Sequence, residues 1–250
     1  MTAQSIAYEQ KLPQITAIPK EDIKPPQMPM NTYIHEAYTN YKWAQKDIAF
    51  LKKAGFSMEL LEDIPIRCDA ASEAQSLWQN VMTGRREAQA IWHEESPDAY
   101  ALRDECLHTM RYAYHGIIEL ITRVNAIAEG SSDADMIQDL NDISILGKEN
   151  PEPLEKVGFD LEKLELAAQM SKKMHELKSA ATVDQYDKDV KRIRDQAYTH
   201  LKDAVDALRR CGQFVFWKDE DRRKGYISQY NRRHASAANK SDAVEQEEAI

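Results

Sequence analysis

Glu105 and His108 stand three residues apart on a segment of helical periodicity, and they are the side chains best placed for chemistry in this 250-residue sequence. A Glu-x-x-His pair sets a carboxylate and an imidazole on one helix face, a donor set suited to a divalent transition metal. His-Glu dipeptides occur at His35-Glu36, His93-Glu94 and His175-Glu176. A metalloprotease helix needs a second His four residues after the first, and Thr39, Pro97 and Ser179 occupy those positions. Tyr112, Tyr114 and His115 could line a pocket, but their place at the end of a helical stripe fits amphipathic boundary residues better. The last candidate is Phe214-Val-Phe216-Trp217 followed by Arg222, Arg223, Lys224, Tyr226, Tyr230, Arg232 and Arg233. Arg, Tyr and Trp in one stretch suit either a protein interface or stacking against nucleic acid. The residues predicted to form an interaction surface are Phe216, Trp217, Arg222, Arg223, Lys224, Tyr226, Tyr230, Arg232 and Arg233.

The elements that must position these groups are helices. Eight glycines are less than half the usual share of roughly 7%. Scarce glycine means few tight turns and few phosphate-cradling loops, and neither a Gly-rich loop nor a Gly-x-Ser-x-Gly elbow occurs. Apolar positions Leu102, Cys106, Met110, Ala113, Ile117, Leu120 and Val124 follow helical spacing. Ninety-one residues later the same steps recur at Ile193, Ala197, Leu201, Ala204, Leu208, Cys211 and Val215. The motif Leu-x-Lys-x-Gly-Phe ends two segments, at Leu51–Phe56 and Leu154–Phe159. With glycine left-handed, each phenylalanine should fold back on its leucine in a Schellman stop.

These repeats predict an all-α fold: an elongated antiparallel helical bundle built from two duplicated long helical hairpins plus an additional N-terminal helix. The first hairpin is read as 57–94 with 98–129, because Ser96-Pro97-Asp98 has the signature of a helix start. The second is 160–181 with 184–216, and helices over 31–54 and 133–146 are added to them. The domain reading is a Pro-rich extended strap over 1–30, a bundle over 31–217 with the internal repeat at about 51–129 and 154–216, a short basic segment over 218–234, and a disordered tail over 235–250. Five of the nine prolines fall in the strap, yet Leu12, Ile15, Ile18 and Ile23 recur along it. It is therefore expected either as a disordered tail or lying along a groove of its own chain or a neighbour's.

A layout with Glu-x-x-His on a long helix resembles the ferritin-like di-iron bundles, in which two helices each carry such a pair. Here the second copy has Gln196 and Thr199 at the matching positions, so a metal-binding bundle ranks as an alternative and the expected metal and cofactor complement is none. The three cysteines have no metal-type spacing, and Cys106 and Cys211 fall on the apolar stripes. With no secretory leader in Met1–Gln10 and no apolar span, the expected setting is cytoplasmic, without a membrane partner.

The formal charge of −9 is unevenly spread. Residues 209–234 carry eight Lys or Arg against three acids, a net +5, while 1–208 carry −11 and 235–250 carry −3. An acidic body with a basic end is an interaction signature. The function expected from these features is a non-enzymatic helical structural or adaptor protein that self-associates, its partner being protein and most simply its own copies. A nucleic-acid-associated protein is the other alternative, ranked lower because the acidic body would repel a polyanion.

Overall fold

The computed structural model describes residues 2–182 and 184–234, and among these every regular element is helical. The tail over 235–250, read as disordered, lies outside the described residues. The chain divides into two units, one formed by residues 1–80 with 185–250 and the other by 81–184. Each has its own buried apolar cluster.

Unit 1 is organised on α9 (Gln185–Val215), against which α1 (Ala3–Thr16), α2 (Met30–Ala44), α3 (Ile48–Lys53) and the first part of α4 (Met58–Ala113) pack. The strap expected over 1–30 is helical over Ala3–Thr16, although Pro13 lies inside that helix. Ala7, Lys11 and Ile15, four residues apart, form its buried face. That burial offsets the hydrogen bond that Pro13 cannot donate. The segment does lie on its own chain. Lys11 pairs with Asp63 at 2.5 Å, and Gln196 Nε2 donates to the Ile18 carbonyl at 2.8 Å. The Lys24 amide donates to Thr199 Oγ1 at 2.9 Å. Burial raises the Asp63 carboxyl, but hydrogen bonds from Lys11 and Arg67 outweigh it and hold the group below the usual carboxylate range. Gln196 and Thr199, which stand where a second metal pair would have been, thus fasten the N-terminal segment.

Residues 31–54 are not one helix. A 3-10 turn over Gln45–Asp47 separates α2 from α3 and shifts the helical register. Ala37, Tyr41, Ala44 and Leu51 stay buried, but Ile48 turns outward and Asp47 turns inward to 1% exposure.

Unit 2 packs the second part of α4 with α5 (Ile118–Ile127), α6 (Asp133–Glu149), α7 (Pro151–Lys156) and α8 (Glu162–Ala181). Ser171 Oγ donates to the Ile137 carbonyl at 2.6 Å, Lys148 pairs with Glu165 at 2.8 Å, and Lys178 pairs with Asp133. Those pairings fix α6 and α8 as antiparallel. A Cβ on Gly147 would lie 2.5 Å from Leu164 Cδ2 and 3.0 Å from Met110 Cε, so glycine there permits the close approach of three helices.

The duplicated hairpins are the main departure from the sequence reading. Met58–Ala113 is one α-helix of 56 residues, with no break at Ser96-Pro97-Asp98 or at Pro65. Pro97 is exposed, while Ala99 and Leu102 beyond it are buried and Glu95 pairs with Lys173 of α8 at 2.5 Å. Tertiary packing on both sides of the proline carries the helix through it. The two apolar stripes also line different cores: Leu102, Cys106, Met110, Leu120 and Val124 are buried in unit 2, whereas Ala197, Leu201, Ala204 and Leu208 are buried in unit 1. Within unit 2, helix α8 packs on α6 and α4.

Local stops and starts follow expectation. Gly55 and Gly158 have φ of +84° and +73°. The Phe56 and Phe159 amides donate to the Leu51 and Leu154 carbonyls, each at 3.0 Å. Ser57 caps α4 through a hydrogen bond from the Leu60 amide, and Asp160, one residue before the N-cap of α8, accepts the Glu162 amide. Cys68 and Cys106 are buried, and burial pushes their thiols up to about 12 and about 11; Cys211 is half-buried.

If α4 runs unbroken through residue 97, Pro97→Ala restores a helical hydrogen bond and raises the urea-unfolding free energy by about 1–3 kcal/mol. A loss of stability would mean that Pro97 starts a separate helix instead.

Candidate interaction surface

The basic, aromatic stretch is built onto unit 1 by a buried carboxylate. Helix α9 ends at Val215, and the chain turns through 216–219 into α10 (Glu220–Arg223) and a 3-10 turn over Lys224–Tyr226. Asp219 caps α10, its side chain accepting the Arg222 amide at 3.0 Å. This reversal lays Tyr226 across the end of α9 against Gly212. A Cβ at Gly212 would lie 2.2 Å from the Tyr226 ring, so only glycine admits it. The phenol, wholly buried, donates to Asp47 Oδ2 at 2.7 Å. The other Asp47 oxygen pairs with Arg222. Burial is the main cause that pushes the Tyr226 phenol up, which keeps it a neutral donor.

Further bonds hold the segment to α2. Trp43 Nε1 donates to the Arg222 carbonyl at 3.1 Å, and Asn40 Nδ2 donates to the Gly225 carbonyl at 2.6 Å. Arg209 of α9 donates to Asn40 Oδ1 at 2.9 Å and to Glu36 Oε2 at 3.0 Å. Glu36 Oε1 accepts the Tyr230 amide at 2.6 Å. Both oxygens of Glu36 are therefore engaged.

The nine residues expected to form an interaction surface separate into two groups. Phe216 and Tyr226 belong to the core, their rings stacked at 5.8 Å and 13°. Arg222 is committed to Asp47, its guanidinium over the rings of Phe50 and Phe216 at 5.8 and 5.1 Å. These three are engaged within unit 1, the Arg222 side chain remaining 39% exposed. Trp217, Lys224, Arg232 and Arg233 are exposed, and Arg223 and Tyr230 are half-buried. Lys224 is shared with Asp221 at 2.8 Å, and Tyr230 stacks on His234 at 3.9 Å. Beside them stand exposed groups outside the predicted set: Phe214 (73% exposed), Phe50 (53%) and Lys218, whose ammonium lies 4.6 Å from the Trp217 ring.

Charge follows the division into units. Residues 81–184 carry 11 Lys or Arg against 20 Asp or Glu, a net −9; residues 1–80 are −2 and 185–208 are neutral. The acidic character read across 1–208 is thus concentrated in unit 2, where Glu94, Asp98, Glu119, Glu129, Glu152 and Glu155 are exposed.

The Glu105–His108 pair sits in unit 2 on the α4 surface. Glu105 pairs with Lys163 of α8 and His108 is exposed. Among the described residues no group of three or more His, Cys, Asp or Glu is placed to hold a metal ion. No helix of these residues is long and apolar enough to cross a membrane.

Removing the buried acceptor should release the whole segment. Asp47→Ala is expected to cost about 2–4 kcal/mol by urea unfolding, and Tyr226→Phe about 1 kcal/mol. A cost below about 0.5 kcal/mol for Asp47→Ala would show that other contacts hold the C-terminal end.

Compared with protein-family models, with curated proteins and with solved structures, the chain matches none.

Proposed function

We propose that this chain is a non-enzymatic helical adaptor or structural subunit that self-associates, the basic aromatic end of unit 1 docking on the acidic unit 2 of another copy. The observation that carries this reading is the segregation of charge: +5 over residues 209–234 against −9 over residues 81–184. Opposite patches on one chain attract between copies, and the attraction speeds encounter more than it adds affinity. Affinity needs apolar burial as well. Phe214 and Trp217 stand exposed at the basic end, and Trp is enriched among residues that dominate interface energies. Such a contact joins two different patches, so it is heterologous and builds closed rings or open filaments. Like its sequence, the acidic unit disfavours a polyanion as the partner.

Light scattering at about 50 mM and about 500 mM salt tests this, because screening shortens from roughly 14 Å to 4 Å over that range. Assemblies are expected at low salt, with a return towards monomer mass at high salt. The double variant Trp217→Ala/Lys218→Glu should weaken association at low salt at least about tenfold. A monomer at both salt concentrations would overturn the proposal, as would salt-sensitive capture of RNA without self-association.

A further inference from the structure

The segment that closes over α2 also encloses a cleft of about 480 Å³ within unit 1, inside the range of small-molecule sites. One wall is a single stripe of α2 carrying His35, Glu36 and Trp43; the other is the chain from Lys224 to His234. The cleft is shaped by the same contacts that fix the C-terminal end. A Cβ on Gly225 would lie 2.1 Å from Trp43 Nε1, so bare backbone seats directly on the indole.

The electrostatics select the sign of an occupant. Glu36 is the carboxylate in the lining, and its charge is already met by Arg209 and by the Tyr230 amide. Arg233 makes no hydrogen bond or ion pair among the described residues, and it lines the cleft together with Lys224 and the imidazoles of His35 and His234. Lys224 pairs with Asp221, whose side chain is 92% exposed. An anion entering here meets the Arg233 guanidinium, which no acid among the described residues pairs, beside Lys224 already paired with Asp221. The flat side chains select the shape: the indole of Trp43 on one wall, and the Tyr230 ring with His234 stacked upon it on the other. Rings of this kind hold a planar π-system, and a guanidinium is suited to a forked oxyanion.

We propose that this cleft is a binding site for a planar aromatic molecule carrying an oxyanion, with Arg233 taking the anionic group and Trp43 and Tyr230 flanking the ring. The site is separate from the exposed Phe214–Lys218 end, and the proposal does not rest on self-association.

Titration calorimetry of the full-length protein with 1-naphthoate, and with 1-naphthylmethanol as its uncharged counterpart, tests it. Naphthoate should bind one-to-one with a dissociation constant below about 1 mM, and the alcohol at least about tenfold more weakly. Arg233→Ala should weaken naphthoate about tenfold or more. Thr39→Trp, which places an indole from the exposed α2 surface into the cleft, should abolish binding while circular dichroism stays that of the wild type. The Trp217→Ala/Lys218→Glu variant should bind as the wild type does. The proposal is overturned by the absence of saturable binding, by unchanged affinity in both Arg233→Ala and Thr39→Trp, or by loss of binding in the Trp217→Ala/Lys218→Glu variant.

Discussion

A buried carboxylate with two partners organises the C-terminal end of unit 1. Asp47 is 1% exposed, accepts the Tyr226 hydroxyl on one oxygen and forms an ion pair with Arg222 through the other. A carboxylate buried without such partners would cost several kcal/mol, so the turn that carries it inward and the segment that supplies its partners require each other. With them in place Tyr226 stacks on Phe216, Gly225 seats on Trp43 and Tyr230 reaches Glu36. The cleft and the exposed aromatic end are both consequences of this one anchorage.

The two units divide the physical work. Unit 1 gathers the C-terminal cations, several of which are spent internally: Arg209 on Glu36, Arg222 on Asp47 and Lys224 on Asp221. Unit 2 holds a dense acidic surface, and its internal pairs lie mainly between neighbouring helices, as in Arg103–Asp139 and Lys173–Glu95. Arg103–Asp139 is buried, whereas exposed pairs such as Lys148–Glu165 add little stability and the unpaired surplus sets the long-range field. A field of opposite sign at two places on one chain is the physical basis of the self-association proposed for it.

Features fixed by a few neighbouring residues are legible in the sequence. The Gly55-Phe56 and Gly158-Phe159 stops, the Ser57 cap, the Asp160 contact before α8 and the start of α6 near Asp133 depend on local hydrogen bonds that the residue types announce. Pro97 was misleading because Ser-Pro-Asp reads the same whether a chain breaks there or packing carries the helix through. Periodicity marked the apolar faces within 102–113, 118–124 and 193–215, but the break between α4 and α5 leaves Ile117 41% exposed, and spacing says nothing about which face meets which: the two stripes line separate cores. At the candidate surface, the aromatic and basic residue types do not tell exposed Trp217 and Arg233 from buried Phe216 and Tyr226. The roles of Phe216, Arg222 and Tyr226 were hidden, because their partner Asp47 reaches the interior only through the 3-10 turn at Gln45–Asp47. A continuous 31–54 helix would turn Ile48 inward instead.

Amide hydrogen exchange at Tyr230 tests this anchorage most directly. That amide lies in a half-buried terminal segment and donates to Glu36, itself fixed by Arg209. If the end is folded onto α2 as described, the Tyr230 amide exchanges slowly, with protection approaching that of the α9 core around Leu201–Leu208. Exchange at the rate of an unstructured peptide would contradict the anchorage, and with it the cleft and the ordered basic surface.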